Sequence, residues 1–304
     1  MKHTLLFMIL LVMTLTTFAQ QSEPLPQRKI GDATLYQIQD TAGGFAANTF
    51  AGMEKATFDK YATDGRIPSS QTAYLLKFSN TYVLFDATSG TPNGAFTANL
   101  AQAMGGKFEP EKISQVWITH LHGDHFGGLL NGDARRFPNA KVQCSSPEYD
   151  HWSKQNNVGV ERVKKAYGDD FSGVKIDEWG FMQFRGPSGA GTRPGEESLP
   201  GKFTIHAINA VGHTPGQTVF LIESQGEKLL VIGDLLHAAA LQFPLPEICA
   251  SFDMDKAEAV KSRRRILDMA ADENIPVAGM HFPSPGIGFV KKNADGYEFS
   301  PINK

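Results

Sequence analysis

Hydrophobic and polar residues recur along the chain with two spacings, that of an α-helix and that of a β-strand. Together they predict strands and helices mixed from end to end. Apolar positions at helical spacing predict helices over 96–104 and 255–271 and a broken helix over 147–166. Gly and Pro are frequent over 171–200, which predicts a long irregular loop. Alternating positions or short apolar runs predict strands at 34–38, 73–78, 82–85, 113–118, 203–207, 218–222, 228–232 and 276–278, and turn residues at 293–296 predict a final hairpin. This mixture predicts one compact α/β or α+β unit.

The first residues have the layout of a secretory signal peptide. Lys2 and His3 form a short basic start, residues 5–13 are continuously apolar, and small residues at 17 and 19 suit cleavage after Ala19. The apolar run is shorter than the roughly 20 residues that a membrane-spanning helix needs. We therefore expect a signal peptide over 1–19, a folded domain over 20–304 and export to the periplasm or beyond the cell, with no stable membrane anchor. The alternative is a buried N-terminal helix.

Composition narrows the classes of partner. The chain has 41% hydrophobic and 20% charged residues, which is ordinary for a globular protein. With 29 basic and 32 acidic residues it lacks the cationic surplus that a phosphate backbone requires, so no nucleic-acid partner is expected. Cys144 and Cys249 are expected to be unpaired, buried thiols, although the spacing leaves a pairing open.

The candidate chemistry is concentrated in a six-residue segment that begins at His120 and reads His-Leu-His-Gly-Asp-His. It directly follows the predicted strand 113–118. Three imidazoles and a carboxylate this close in sequence can converge in a loop at a strand end, where side chains need not alternate between two faces. Imidazole and carboxylate are ligands that zinc, iron, cobalt and manganese accept. The segment therefore predicts a metal site.

Three later residues fit the same site. His213 lies in a Gly-His-Thr-Pro-Gly turn, Asp234 follows the apolar run 229–232, and His281 follows 277–280. Each is a ligand-type residue at the end of an apolar strand. With the first segment they provide five histidines and two aspartates. That is enough for two metals that share one carboxylate.

At these residues the chain resembles the metallo-β-lactamase-fold hydrolases, because the H-x-H-x-D-H segment, the H-T-P-G turn, the G-D pair and the last histidine occur in the family's order. Within that superfamily it is most similar to the methyl parathion hydrolase-like and lactonase branch. The resemblance implies an α+β fold, the αββα four-layer sandwich with metals at one sheet edge. It also implies a ligand assignment: His120, His122 and His213 for the first metal, Asp124, His125 and His281 for the second, Asp234 bridging both, and Asp86 orienting a ligand from behind.

The expected activity is hydrolysis. A hydroxide that bridges two divalent ions would attack the substrate, since a metal lowers the pKa of water from about 15.7 toward 7. Zinc is the default metal. Asp124 and Asp234 are the expected catalytic carboxylates, with Asp124 holding the proton of the hydroxide. We expect a small-molecule substrate with an apolar body, a lactone or an ester ahead of a phosphotriester.

Four residues are candidates for the substrate pocket. Trp152 matches a pocket tryptophan of the resembling branch, and His237 stands three residues after Asp234, where that branch has a pocket residue. Phe126 and Phe243 are candidates from their positions near the ligand motifs. The alternatives are core packing for the phenylalanines and a turn-capping role for His237.

Two other functions are consistent with the sequence. A related branch of the same fold binds one iron and oxidises persulfides, so the chain could be a mononuclear oxygenase. An exported metal-binding protein without activity is the second alternative. The filled set of seven ligand positions argues against the latter, and a metal count would separate the former from a dinuclear hydrolase.

Overall fold

The computed structural model describes residues 23–50, 52–176, 182–185 and 202–302. The expected signal peptide over 1–19 lies outside this part of the chain. No described helix combines the length and the apolar character needed to cross a bilayer.

Short strands and helices alternate along the described chain. The strands are β1 (Gln27–Ile30), β2 (Ala33–Phe45), β3 (Ile67–Phe78), β4 (Thr81–Phe85), β5 (Ile113–Trp117), β6 (Leu130–Asn131), β7 (Ala134–Arg135), β8 (Lys141–Ser145), β9 (Phe171–Val174), β10 (Met182–Arg185), β11 (Lys202–Asn209), β12 (Thr218–Ser224), β13 (Glu227–Val231), β14 (Val277–Ala278), β15 (Ile287–Lys292) and β16 (Tyr297–Pro301). The α-helices are α1 (Lys55–Phe58), α2 (Phe96–Ala103), α3 (Gly123–Phe126), α4 (Ser146–Lys154), α5 (Val158–Tyr167), α6 (Ala239–Gln242) and α7 (Lys256–Asp272).

Two seven-stranded sheets form the centre of the fold. The first has the order β1-β2-β3-β4-β5-β8-β9, and the second has the order β10-β11-β12-β13-β14-β15-β16. In the first sheet, β4, β5, β8 and β9 are parallel neighbours, whereas the pairs from β1 to β4 are antiparallel. In the second sheet only the β13–β14 pair is parallel. The two-stranded β6–β7 hairpin stands apart.

Alternation along the central strands divides the core into layers. In β4, Phe85 packs into the cluster between the two sheets, and Leu84 points to the opposite face, toward α2 and α5. In β13, Val231 packs between the sheets, whereas Leu230 packs with Ile266 of α7. Because successive strand residues point to opposite faces, each sheet buries one face against the other sheet and one face against helices. The expected αββα four-layer sandwich is confirmed.

The predicted elements agree with the structure except in one region. The expected broken helix is α4 and α5, separated where Asn156 adopts a φ of 52°. Residues 171–200 were expected to be irregular, but β9 and β10 lie there, while 177–181 and 186–200 are outside the described residues. The expectation was wrong for β9 because pairing with β8 supplies hydrogen bonds that local composition does not reveal. Cys144 and Cys249 are both buried and free, as expected.

The topology brings two sets of strand ends to one edge. Strands β4 and β5 are parallel, so the chain leaves both at the same edge of the first sheet. Strands β11, β13 and β14 run in one direction in the second sheet, because β12 is antiparallel to both β11 and β13. The two edges are joined there, since Thr218 N donates to Thr119 O and Ser70 N donates to His281 O, at 3.0 and 3.2 Å.

Candidate metal centre

Three imidazoles meet at this shared edge. Nε2 of His120 lies 3.0 Å from Nδ1 of His122 and 3.1 Å from Nε2 of His213, and the latter two atoms are 2.9 Å apart. His120 and His122 come from the loop after β5, and His213 from the turn after β11. Tetrahedral ligands with zinc–nitrogen bonds of 2.0–2.1 Å lie about 3.3 Å from one another. The triangle therefore has approximately the dimensions of one face of a zinc coordination sphere.

A second group of ligand atoms lies beside the first. Asp124, His125 and His281 bring one oxygen and two nitrogens within 4.8 Å of one another. Nε2 of His281 is 3.5 Å from Oδ2 of Asp124, and Nε2 of His125 is 3.9 Å from Oδ1. Asp124 is the most exposed member, with 29% of its side chain accessible, whereas both histidines are buried. The opening of the site is therefore on the side of Asp124.

Asp234 lies between the two groups. Its Oδ2 is 3.6 Å from Nε2 of His120 and 3.4 Å from Nε2 of His213, and its Oδ1 is 3.1 Å from Nε2 of His125. Oδ2 is also 3.2 Å from Nε2 of His281. The structure thus brings all seven sequence-predicted residues together, with Asp234 between the two groups, where it could be shared by two ions.

The charges in this cluster suit a cation. Burial by itself would raise the pKa of Asp234, but the surrounding imidazoles, His125 first among them, hold it well below its usual range. Burial lowers the pKa of His122 to about 4 and that of His120 well below its ordinary value. These two are therefore neutral ligands at neutral pH. Asp234 Oδ1 and His125 Nε2 are fully buried and, although they lie 3.1 Å apart, neither atom makes a hydrogen bond of good geometry among the described residues. Buried polar atoms in such a state are ordinarily satisfied by hydrogen bonds or metal bonds, so the donor set fits two divalent ions.

Carboxylates and carbonyls behind the cluster fix the orientation of the histidine rings. Oδ2 of Asp86 lies 2.6 Å from Nδ1 of His125, and both its oxygens accept hydrogen bonds from Thr119. Nδ1 of His281 lies 2.8 Å from the carbonyl oxygen of Ser70. A partner at Nδ1 directs the free Nε2 lone pair into the site, which is the ordinary arrangement behind metal-binding histidines. Asp86 therefore lies behind His125 on the side away from the other ligand-type atoms.

Asp253 orients the ring of His213 in the same way, and no sequence pattern pointed to this residue. Its Oδ1 lies 2.7 Å from Nδ1 of His213, and its Oδ2 accepts a hydrogen bond from Ala250 N. Arg263 is fully buried nearby, with its guanidinium 3.9 Å from Asp253 Oδ2, and donates to the carbonyls of Leu235, Pro246 and Ile248. Arg263 therefore anchors the segment from which Asp253 reaches the site.

Glu148 is a second residue that the sequence analysis missed. Its buried carboxylate accepts hydrogen bonds from Leu121 N, Trp152 Nε1 and Gly216 N, at 2.8, 2.6 and 2.9 Å. It thereby joins the loop that bears His120 and His122 to the turn that bears His213. Gly216 is required for this approach, because a Cβ there would lie 2.3 Å from Glu148 N. Glu148 follows its N-cap Ser145 by three residues, which is a recognisable capping signal but indicates only a helix start.

Of the four candidate pocket residues, two lie beside the ligand cluster and two lie elsewhere. The Trp152 ring lies 5.5 Å from that of His122, and Nε2 of His237 lies 3.1 Å from Oδ2 of Asp234. Phe126 instead packs in the core beneath the first sheet, against Gly159, and Phe243 stacks on Phe299 with ring centroids 5.0 Å apart. Trp152 and His237 therefore border the ligand cluster, whereas the two phenylalanines are packed in the core.

Comparison with known families identifies one match. The family described as "Metallo-beta-lactamase superfamily" matches residues 66–278, more than two thirds of the chain. Ribonuclease Z of Thermococcus onnurineus (strain NA1) is 27% identical over 188 residues, 54% of this chain and 55% of that protein. Ribonuclease Z of Exiguobacterium sp. is 37% identical over only 70 residues, 22% of this chain and 21% of that protein. The chain thus spans at most about half the length of these curated relatives.

Solved structures cover more of the chain. The hydrolase AbOPH, described as in the beta lactamase superfamily, superposes with a TM-score of 0.75 at 24% identity, covering 94% of this chain and 99% of its own. AidC, a dizinc quorum-quenching lactonase in complex with the product N-hexnoyl-L-homoserine, has a TM-score of 0.75 at 24% identity, covering 92% and 98%. AiiA of B. thuringiensis is more distant, with a TM-score of 0.54 at 17% identity, covering 85% and 94%. These likenesses establish a shared fold.

Proposed function

The chain belongs to the metallo-β-lactamase superfamily. From that premise we propose that it is a metal-dependent hydrolase that holds two zinc ions and cleaves a lactone or an ester. The observation that carries this proposal is the position of Asp234, whose two oxygens lie between two groups of three ligand atoms. His120, His122 and His213 would hold one ion. Asp124, His125 and His281 would hold the other.

Bound divalent ions would supply two things, a water of lowered pKa and a positive charge beside the substrate's carbonyl oxygen, where negative charge develops during the reaction. The residues of this chain prepare the rest. Burial would raise the pKa of Asp124, but His125 and His281 hold it below its usual value, so this carboxylate is ionised at neutral pH. Its position at the opening lets it accept a hydrogen bond from an attacking water and orient it. Asp86 and Asp253 keep the histidine lone pairs directed into the site.

His237 is suited to contact the substrate oxygen. It is fully buried beside Asp234, and burial lowers its pKa, so the ring is neutral and carries one N–H at neutral pH. A neutral N–H donor near the reacting oxygen would stabilise charge that develops there. Trp152 borders the opposite side of the cluster at His122.

The choice of lactone or ester is supported by chemistry and by likeness. AidC, which shares the fold, is described as a dizinc lactonase in complex with the product N-hexnoyl-L-homoserine, and AiiA is described with N-decanoyl-L-homoserine bound at the active site. The Ribonuclease Z relatives match only in part, and a chain with net charge −3 lacks a cationic surplus for an RNA backbone. The proposed substrate is therefore a small molecule with an apolar body.

The test is turnover by zinc-loaded protein on γ-lactones, 4-nitrophenyl esters and diethyl 4-nitrophenyl phosphate. We expect hydrolysis of lactones or esters above the phosphotriester. Asp234→Ala should lose activity by at least about 1,000-fold, because it removes the ligand shared by both ions. Asp295→Ala, at an exposed turn position, is the matched control and should retain activity. Full activity of Asp234→Ala would contradict the dinuclear scheme.

We also propose that residues 1–19 direct export and are then removed. The support is the order of basic, apolar and small residues in the sequence. Mass spectrometry of the protein recovered from a secreting bacterial host should give a chain that begins at Gln20. A chain that retains Met1 and stays inside the cell would contradict this.

A further inference from the structure

Two phenylalanines that follow no ligand motif lie against the histidines of the centre. The Phe252 ring is 4.9 Å from that of His237 and 5.9 Å from that of His213. The Phe45 ring is 5.7 Å from that of His281 and 6.1 Å from that of His237. The two phenylalanine rings are 6.5 Å apart. They therefore form one continuous aromatic surface beside both groups of ligands.

Few large apolar side chains are exposed in the described part of the chain, and this aromatic surface includes one of them. Among the described residues the exposed large hydrophobic side chains are Val158, Phe252 and Met254. Phe252 is 42% exposed, and Met254, whose backbone N–H donates to the carbonyl of His213, is 48% exposed. Phe45 is half-buried. An exposed apolar area beside a polar, buried centre is characteristic of a ligand-binding surface.

The backbone holds the aromatic surface in place. Phe252 directly precedes Asp253, which is fixed by His213 and by Ala250 N. Its segment is paired with the one that follows Phe45, since Phe50 and Ala250 form an antiparallel bridge and Ser251 N donates to Thr49 O at 2.7 Å. The rings are therefore pre-organised and need little ordering when a ligand binds.

We propose that Phe45 and Phe252 bind the apolar acyl chain or aryl group of the substrate while its reacting carbonyl lies at the ligand cluster. This inference rests on the proposed function and specifies its substrate, an acyl compound with a body of several carbons. Each methylene that leaves water for this surface favours binding, so activity should rise with the length of the acyl chain. Neither residue belongs to a recognisable sequence motif, since Phe45 is the last residue of a strand and Phe252 lies in a loop.

The test compares 4-nitrophenyl octanoate with 4-nitrophenyl acetate, which share a leaving group. In Phe252→Ala the ratio of kcat/KM for octanoate to that for acetate should fall about tenfold or more, mainly through KM. Phe45→Ala should lower the ratio too, and Phe252→Leu should recover part of it. Val158→Ala, at an exposed apolar site on α5, is the control and should leave the ratio unchanged. Unchanged ratios in both alanine variants would overturn the proposal.

Calorimetric binding of octanoate and acetate to zinc-loaded protein separates this inference from the proposed function. If the wild type cleaves no ester but binds octanoate more tightly than acetate, and Phe252→Ala removes the difference, the function fails and the subsite stands. If esters are cleaved but the alanine variants bind octanoate like the wild type, the subsite fails and the function stands. Circular dichroism of Phe252→Leu and Phe252→Ala verifies that both variants fold.

Discussion

Replacement of Glu148 by glutamine tests how the two halves of the site are joined. Oε1 accepts from Leu121 N and Trp152 Nε1, and Oε2 accepts from Gly216 N. Glutamine has nearly the same shape but only one acceptor oxygen. If that oxygen keeps the hydrogen bonds from Leu121 N and Trp152 Nε1, the side-chain NH₂ group faces the N–H of Gly216. Two donors then oppose each other in a buried position.

The magnitude follows from the number of donors left unpaired. A hydrogen bond to a charged acceptor contributes about 1.5–3 kcal/mol, and an unpaired buried donor costs about 1–3 kcal/mol. We expect Glu148→Gln to lower the free energy of unfolding by about 2–3 kcal/mol. Glu148→Ala leaves all three donors unpaired and creates a cavity, so its loss should be about 5 kcal/mol or more. Because Leu121 adjoins two ligands, zinc affinity should fall by about 10–100-fold, as for other residues behind a metal site.

Urea unfolding, followed with and without zinc, measures the first effect, and a competition titration with a zinc-binding dye measures the second. Glu161→Gln is the matched control, since Glu161 is exposed and pairs with Lys164 three residues later. It should change stability by less than about 1 kcal/mol. If Glu148→Gln unfolds at the same urea concentration as Glu161→Gln and binds zinc normally, the bridging role of Glu148 is refuted.

Three further predictions follow from the same contacts. Asp86→Asn should lower the affinity for the ion held by His125 by about 10–100-fold and leave the affinity for the other ion nearly unchanged. Asp253→Asn should have the opposite effect, and a zinc titration that shows equal losses at both ions would contradict the assignment. Burial raises the pKa of Tyr167 to about 12, so this side chain ionises at lower pH in the unfolded chain than in the folded one. The free energy of unfolding should therefore fall between about pH 10 and 12, and fall less in Tyr167→Phe. Urea titrations that show the same fall in both proteins would count against this. Removal of zinc with a chelator should lower the thermal unfolding midpoint, because the ions bind the folded chain; calorimetry showing no shift would be inconsistent with a buried site.

The sequence predicted the ligand set because ligand-type residues at the ends of apolar strands are a local signal. His213, Asp234 and His281 each follow a strand, and the direction of β11, β13 and β14 brings them to one edge. Continuous apolar runs such as that of β4 are also a local signal, because such a strand is buried on both faces. By contrast β9, which lies in the region expected to be irregular, is paired on one side only and has little apolar pattern of its own.

The surroundings of the ligands were less predictable because they depend on contacts between distant residues. Glu148 contacts backbone groups 27 and 68 residues away, and Asp253 contacts a histidine 40 residues away. No short spacing encodes such pairs. Phe126 is next to a ligand in sequence but turns into the core, where Gly159 leaves space for its ring. Proximity in sequence was therefore a poor guide to the pocket, and Phe45 and Phe252 came to the site through the pairing of two distant segments.

Elemental analysis of the purified protein tests the dinuclear hydrolase most directly. Zinc-loaded wild type should contain about two zinc ions per chain, since two groups of three ligand atoms share Asp234. Asp234→Ala should retain fewer, and Asp295→Ala should retain both. A single iron per chain in wild-type protein purified without added metal, with persulfide oxidation in place of ester hydrolysis, would contradict the account.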